Sequence, residues 1–280
     1  MSEVRVIVPR ELDRVLDAMV RAGFAGNKAE LARTALIHLL SSLPTQISRG
    51  YDLETAFSPD GRIFQLEYAA ETTLRGGTIV GVCCPEGVAL AKTIREEHRR
   101  YPLAVTPDQF TRVFRIHQSI GMVHCGLLMD GHIVVDEALK QAESLQKDGK
   151  VDIERLAKRL VLFMQSFGQR KDTRPLGTAI LLGGIDLNKK PRMFLLGAHG
   201  IAQEHRATAW GSDRDEAREI LSEGYKEDMG LEDATLLAVK AAVIETKKPE
   251  ALVATIDAKT NAFRELKDRE IEQILKKISA

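Results

Sequence analysis

Apolar residues recur at helical spacing along residues 62–74. Ile63, Leu66, Ala70, Thr73 and Leu74 fall at i, i+3 or i+4 and draw one stripe on a helix. Ahead of them, Ser58-Pro59-Asp60-Gly61 is a turn cluster, in which Pro59 fixes φ and Asp60-Gly61 tolerates the left-handed region. Behind them, Gly76 and Gly77 sit where a left-handed helix stop is expected. Residues 78–91 then run extended, with Pro85-Glu86-Gly87 as a turn between two strands. The pattern predicts a helix feeding a hairpin.

Further along, residues 111–116 and 120–125 alternate or run apolar and predict two strands, after a charged stretch at 95–100 that reads as a solvated loop. Residues 130–147 and 151–167 predict two amphipathic helices. Ile133, Leu139 and Leu145 are apolar positions of the first; Ile153, Leu156, Leu160, Phe163 and Met164 belong to the second. A polar loop at 168–174 precedes a strand group at 176–185, 192–196 and 201–209. Helices are predicted at 212–223, capped by Ser212, and at 231–245, followed by strands at 252–257 and 262–266 and a last helix at 268–278. Strands, two helices, strands, two helices and strands again suit two stacked sheets with a helical layer on each outer side.

The first 50 residues follow a different plan. Val4, Val6 and Val8 alternate with Glu3, Arg5 and Ile7, which predicts a strand ending at Pro9. Leu12, Val15, Leu16 and Met19 predict a helix broken at Gly23 and Gly26. Asn27 and Glu30 then make a capping box for a second helix carrying Leu31, Ala35, Leu39 and Leu40. Strand, helix, helix in so short a segment buries too little to stand alone and needs a partner. Residues 1–44 are read as this arm, 45–50 as a linker and 51–280 as the main domain.

Charge changes the picture little. Lysine and arginine number 40, aspartate and glutamate 40, so no global field favours nucleic acid or anionic membrane. No apolar run reaches the ~18 residues of a membrane span, and a cytoplasmic location is expected. Three cysteines, Cys83, Cys84 and Cys125, make no disulfide framework and read as reduced thiols. Seven histidines lack ligand spacing, and no glycine-rich phosphate loop is present, so neither a metal nor a cofactor is expected.

The residues of the organising stretch carry a more specific signal. Tyr51-Asp52, then Phe57 to Ala69 (FSPDGRIFQLEYA), then Arg75-Gly-Gly-Thr78 resemble the N-terminal signature of α-type 20S proteasome subunits. The likeness continues through Gly126-Leu-Leu-Met-Asp130, Arg174-Pro-Leu-Gly177, Ala207-Thr-Ala-Trp-Gly211 and Asp257. It implies the four-layer αββα sandwich of the N-terminal-nucleophile hydrolases, an α+β fold. It also implies a non-catalytic member of a seven-membered ring that caps β-type subunits, gates substrate entry and docks regulatory ATPases. The family's gate cluster falls on Tyr51, Asp52, Pro59 and Tyr68. Its pocket for an activator tail falls on Arg112, Gly76 and Ile63, with arginine where the family carries lysine. Here Leu53 follows the Tyr-Asp pair, in place of the family's arginine.

The arm resembles a ribbon-helix-helix domain, a family that dimerises through its strands and reads DNA with the outward ribbon face. That resemblance implies Arg5, with the helix start at Asn27 and Lys28, as DNA contacts. The whole chain is therefore expected to be an α-type subunit or paralogue whose arm dimerises. The alternative is a DNA-binding regulator that uses the main domain for oligomerisation. Two-fold pairs cannot all close within a seven-membered ring, so the arms pair between two rings, leave one arm single, or belong to an even-numbered assembly.

Catalytic relatives use an N-terminal threonine with a supporting lysine and aspartate. Aligned on Gly81, the nucleophile position falls on Gly77, the aspartate position on Thr93 and the lysine position at or beside Arg112. Only removal of the preceding helix would free Thr78 as an N-terminal nucleophile.

Overall fold

The computed structural model describes residues 8–42, 57–58, 60–93, 113–170, 172–244 and 250–279. The chain divides into two compact units, Met1–Asp52 and Leu53–Ala280. In the first, α1 spans Arg10–Arg21 and α2 Lys28–Ser42, with Pro9 before the first turn of α1. The predicted strand at 3–8 lies outside the described residues apart from Val8. Leu31 is the apolar side chain buried among those described in this unit, while Leu12, Val15 and Phe24 are exposed.

The second unit is two five-stranded antiparallel sheets between helices. Its first elements are α3 (Phe64–Thr73), β1 (Ile79–Cys84), β2 (Gly87–Thr93), β3 (Phe114–His117) and β4 (Ile120–Gly126). Next come α4 (Leu128–Lys147), α5 (Ile153–Gly168), β5 (Thr178–Ile185), β6 (Pro191–Leu196), β7 (Ala202–Glu204) and β8 (Ala207–Trp210). The last are α6 (Arg214–Gly224), α7 (Leu231–Ala242), β9 (Ala251–Asp257), β10 (Ala262–Glu265) and α8 (Asp268–Ser279). One sheet runs β10-β9-β2-β1-β8 and the other β3-β4-β5-β6-β7.

Strand periodicity sorts the core into three apolar layers. Ile79, Leu90, Val123, Leu181, Met193 and Ile256 lie between the sheets. Their strand neighbours Val80, Val82, Ala89, Ala91 and Val253 face the other way, onto Leu221, Leu237, Ala238 and Ile271 of α6, α7 and α8. Met122, Ile180, Leu182 and Phe194 likewise face Val134, Leu145, Ile153, Leu156 and Leu160 of α4 and α5. Because both faces of each sheet are covered, the central strands are largely apolar, with Lys92 and Thr93 of β2 and His124 of β4 among the buried exceptions. Burying each large apolar side chain contributes about 1.5–3 kcal/mol. This is the αββα arrangement expected from the sequence.

Four local expectations are corrected. The segment read as one strand at 201–209 is two strands in different sheets, joined by His205 and Arg206; no glycine or proline marks the break. On α4, Ile133 and Leu139 are exposed, and the buried face is Val134, Val135, Ala138, Ala142 and Leu145. On α3 the buried residues are Phe64, Ala69 and Thr73, so only Thr73 of the predicted stripe is fully inside. The residue before α6 is Asp213 rather than Ser212.

Candidate functional site

Ser58 builds the turn that starts α3. Its hydroxyl donates to Asp60 Oδ1 at 2.6 Å, its N–H donates to the Arg62 carbonyl at 2.8 Å, and Gly61 adopts φ 79°. Arg62 then donates to the Glu67 carboxylate from Nε at 2.8 Å and lies 4.7 Å over the Phe64 ring. The guanidinium holds Glu67 below the usual carboxylate range, mainly through that hydrogen bond.

At the other end of α3 the distant sequence motifs converge. Trp210 Nε1 donates to Thr73 Oγ1 at 2.7 Å, tying the last residue of the helix to β8. Neither Gly76 nor Gly77 has a left-handed φ, so they are not the expected helix stop. Close approach requires them: a Cβ on Gly76 would lie 2.5 Å from Gly126 N, and one on Gly77 would lie 2.9 Å from the Thr93 carbonyl. Gly126 itself has φ 94°. Beside it, the buried Asp130 carboxylate accepts both Arg174 Nη1 at 2.6 Å and Nη2 at 2.8 Å, and the Gly177 N–H at 2.7 Å. Gly177 lies against Thr72, so the clamp fixes the ground on which α3 ends. Arg174 is held strongly protonated, chiefly by the bond to Asp130.

The position aligned with the catalytic nucleophile lies just beyond. Gly77 and Thr78 are buried within continuous chain. Thr78 Oγ1 donates to Asp213 Oδ2 at 2.8 Å and accepts from the Asp213 N–H at 3.1 Å; Ser212 Oγ also donates to Asp213 Oδ2, at 2.9 Å. The hydroxyl is thus committed to the start of α6. Thr93 N–H donates to the Thr78 carbonyl at 2.9 Å, and the Thr93 hydroxyl donates to the carbonyl of Ala242. Next to Thr93, Lys92 is 4% exposed, and burial pushes its ammonium pKa down to about 8. Cys125 is the titratable group acting back on it; burial raises that thiol to about 12.

Of the residues singled out from the sequence, Tyr51, Asp52, Pro59, Arg112 and Arg5 lie outside the described residues. Tyr68 is on α3, partly exposed, its ring centroid 6.4 Å from that of Phe64. Ile63 and Gly76 flank opposite ends of α3, a helix of 10 residues and so about 15 Å long. The structure does not bring those two together. In the arm, Asn27 Oδ1 accepts the Glu30 N–H at 2.8 Å, as a capping box requires, while Glu30 reaches Gly26 N at 2.9 Å rather than Asn27. Lys28 donates to Asp13 at 2.7 Å and pairs with Asp17 at 2.9 Å. Those bonds raise its pKa, the Asp13 bond most, and take its charge away from any phosphate.

Sequence reasoning missed the Thr78–Asp213 bond, the Trp210–Thr73 bond and the buried Lys92. The last had a signal, a lysine inside the apolar run Ala89-Leu-Ala-Lys-Thr93. The first two join residues more than 130 positions apart and had none.

Comparison with known proteins bears on this site. The family model described as "Proteasome subunit" matches residues 73–249, and the model for the N-terminal signature of A-type proteasome subunits matches residues 51–71. A proteasome alpha subunit of Thermococcus sibiricus is 36% identical over 241 residues, covering 82% of this chain and 90% of that protein. The one from Methanopyrus kandleri is 34% identical over 231 residues, covering 80% and 91%. That of Pyrococcus horikoshii is 36% identical over 235 residues, covering 82% and 88%.

Proposed function

This chain belongs to the proteasome subunit family, and from that membership we propose that it is an α-type subunit, non-catalytic, that forms a ring and assembles with β-type subunits. The observation that carries the reading is the place of α3. The signature helix precedes β1, and its end is locked by Trp210, Gly126 and the Asp130–Arg174 clamp, so Gly77 and Thr78 stay internal and buried. Threonine-peptidase chemistry needs a free amine on the nucleophile, which an internal residue lacks. Among the described residues no helix is long and apolar enough to cross a membrane.

In this reading the arm at residues 1–44 is a ribbon-helix-helix-like dimerisation unit on the main domain, joined by a linker at 45–50. The exposed Leu12, Val15 and Phe24 support a partner for it. Tyr51, Asp52, Pro59 and Tyr68 form the gate cluster. Arg112, with Ile63 and Gly76 of adjoining subunits, receives the carboxylate tail of a regulatory ATPase, the arginine forking onto it. The DNA-binding alternative is not favoured: the cation at the α2 start is already paired, and the net charge is zero.

Native mass spectrometry of the purified particle, with and without residues 1–48, tests this. The expected particle has seven or fourteen copies, and loss of the arm converts fourteen to seven. A dimer or tetramer that falls to monomer on deletion, with no affinity for a β-type partner, overturns the ring reading.

A further inference from the structure

One border of the sandwich, formed by β7 and β8, carries a groove of about 860 Å³ lined by Gln203, Glu204, His205, Arg206, Trp210 and Arg218, among others. Its floor is the outer edge of β8, which pairs with β1 on one side only. An open strand edge leaves backbone groups unmet. Here Arg218, from α6, donates from Nε to the Ala209 carbonyl at 3.1 Å and blunts the edge. The same guanidinium lies 5.1 Å over the Trp210 ring.

Among the described residues no carboxylate lies within ion-pair distance of Arg218, whereas Arg206, in the same wall, is paired with Glu227. Burial and the neighbouring Arg214 disfavour its charge, and Asp215 offsets only part of that. Close by, His205 Nε2 is buried with no hydrogen-bond partner. A half-buried cation with no ion pair among the described residues is costly, and an acidic group arriving in the groove meets it, beside the closed-off His205 ring.

We propose that Arg218, with the His205 ring packed beside it, is the recognition point for a carboxylate presented by a second copy of this chain, the lateral neighbour in the ring. The inference rests on the ring reading above. Head-to-tail contact in a ring joins two different faces of the same protein. With 40 cationic and 40 acidic side chains, a cation left over on one face is matched by acids left over elsewhere on the molecule. Glu265 is such an acid, exposed and outside the ion pairs found among the described residues; it lies on β10, the opposite border strand of the same sheet. The β7–β8 border receives, and the far border supplies.

The test is native mass spectrometry of full-length wild type and Arg218→Gln across protein concentration, with thermal midpoints as a check on folding. Glutamine keeps a donor for the Ala209 carbonyl but carries no charge. The expected result is a folded variant whose half-assembly concentration rises about 30-fold, the low end for removing one partner of a desolvated pair. Arg218→Lys should recover part of the loss. A folded Arg218→Gln that assembles like wild type overturns the inference and leaves the ring reading standing. A wild type that forms no ring overturns both.

Discussion

Replacing Arg174 by alanine is expected to lower the stability of the Leu53–Ala280 unit by about 3 kcal/mol and its thermal midpoint by roughly 6–12 °C. The cost comes from what stays behind. Asp130 is 1% exposed, and without the guanidinium its carboxylate keeps one bond, from the Gly177 N–H, in a site closed to water. Breaking a fully buried pair costs about 3–5 kcal/mol; the outer half of Arg174 is solvated, which puts this one at the lower end. Arg174→Lys should retain less than half of the lost stability, because a point charge cannot reproduce the two-pronged contact. The damage should also travel. Gly177 supports Thr72, and Gly126 faces Thr73, so the C-terminal end of α3 should exchange its amide protons faster in the variant than the centre of β5 does. A loss below about 1 kcal/mol in denaturant titration would show that the clamp is incidental and that apolar packing alone holds α3.

How much of this was legible in the sequence depends on the range of the interaction. The hairpin β1–β2, the helices α4, α5 and α7 and the plan of two sheets between helical layers follow from periodicity and turn residues, which are local. Gly76 and Gly77 were legible as necessary but not for the right reason. A helix stop and a close approach both call for glycine, and only the packing of Gly126 and Thr93 on their Cα atoms separates the two. Ile133 and Leu139 look like core positions because an apolar side chain on a helix usually is. On α4 the buried stripe instead uses small residues, Ala138 and Ala142, which let the helix lie close to the sheet. The exposed ones, with Met129 and Leu162, leave apolar surface on the outer helical layer, as expected of a subunit with partners. The Asp130–Arg174 contact was half legible: both motifs stood out, but nothing in either says that one carboxylate joins them.

Replacing Lys92 by methionine is expected to stabilise the same unit at pH 7 by about 2 kcal/mol, raising its midpoint by roughly 4–8 °C. The lysine lies at the end of β2 among residues of the inter-sheet layer, with burial holding its pKa near 8 against an ordinary 10.5. Below pH 8 it is charged in both the folded and the unfolded chain, and folding carries the full cost of burying that charge. As pH rises from 8 to 10.5 the folded form loses its proton first and the cost disappears, so the wild type gains stability over that window. The thiols act in the opposite sense. Cys83 and Cys125, raised to about 12 by burial, withdraw stability once the unfolded chain ionises above about pH 9. The window from pH 8 to 9 therefore isolates the lysine. Across it the wild type should gain about 1 kcal/mol, or roughly 2–4 °C, relative to Lys92→Met, whose own thiols cancel in the comparison. Two parallel melting curves, one for each protein, from pH 7 to 9 decide the matter. If their separation does not narrow as pH rises, the ammonium carries no burial cost, and a counter-charge from elsewhere in the assembled protein must already be meeting it.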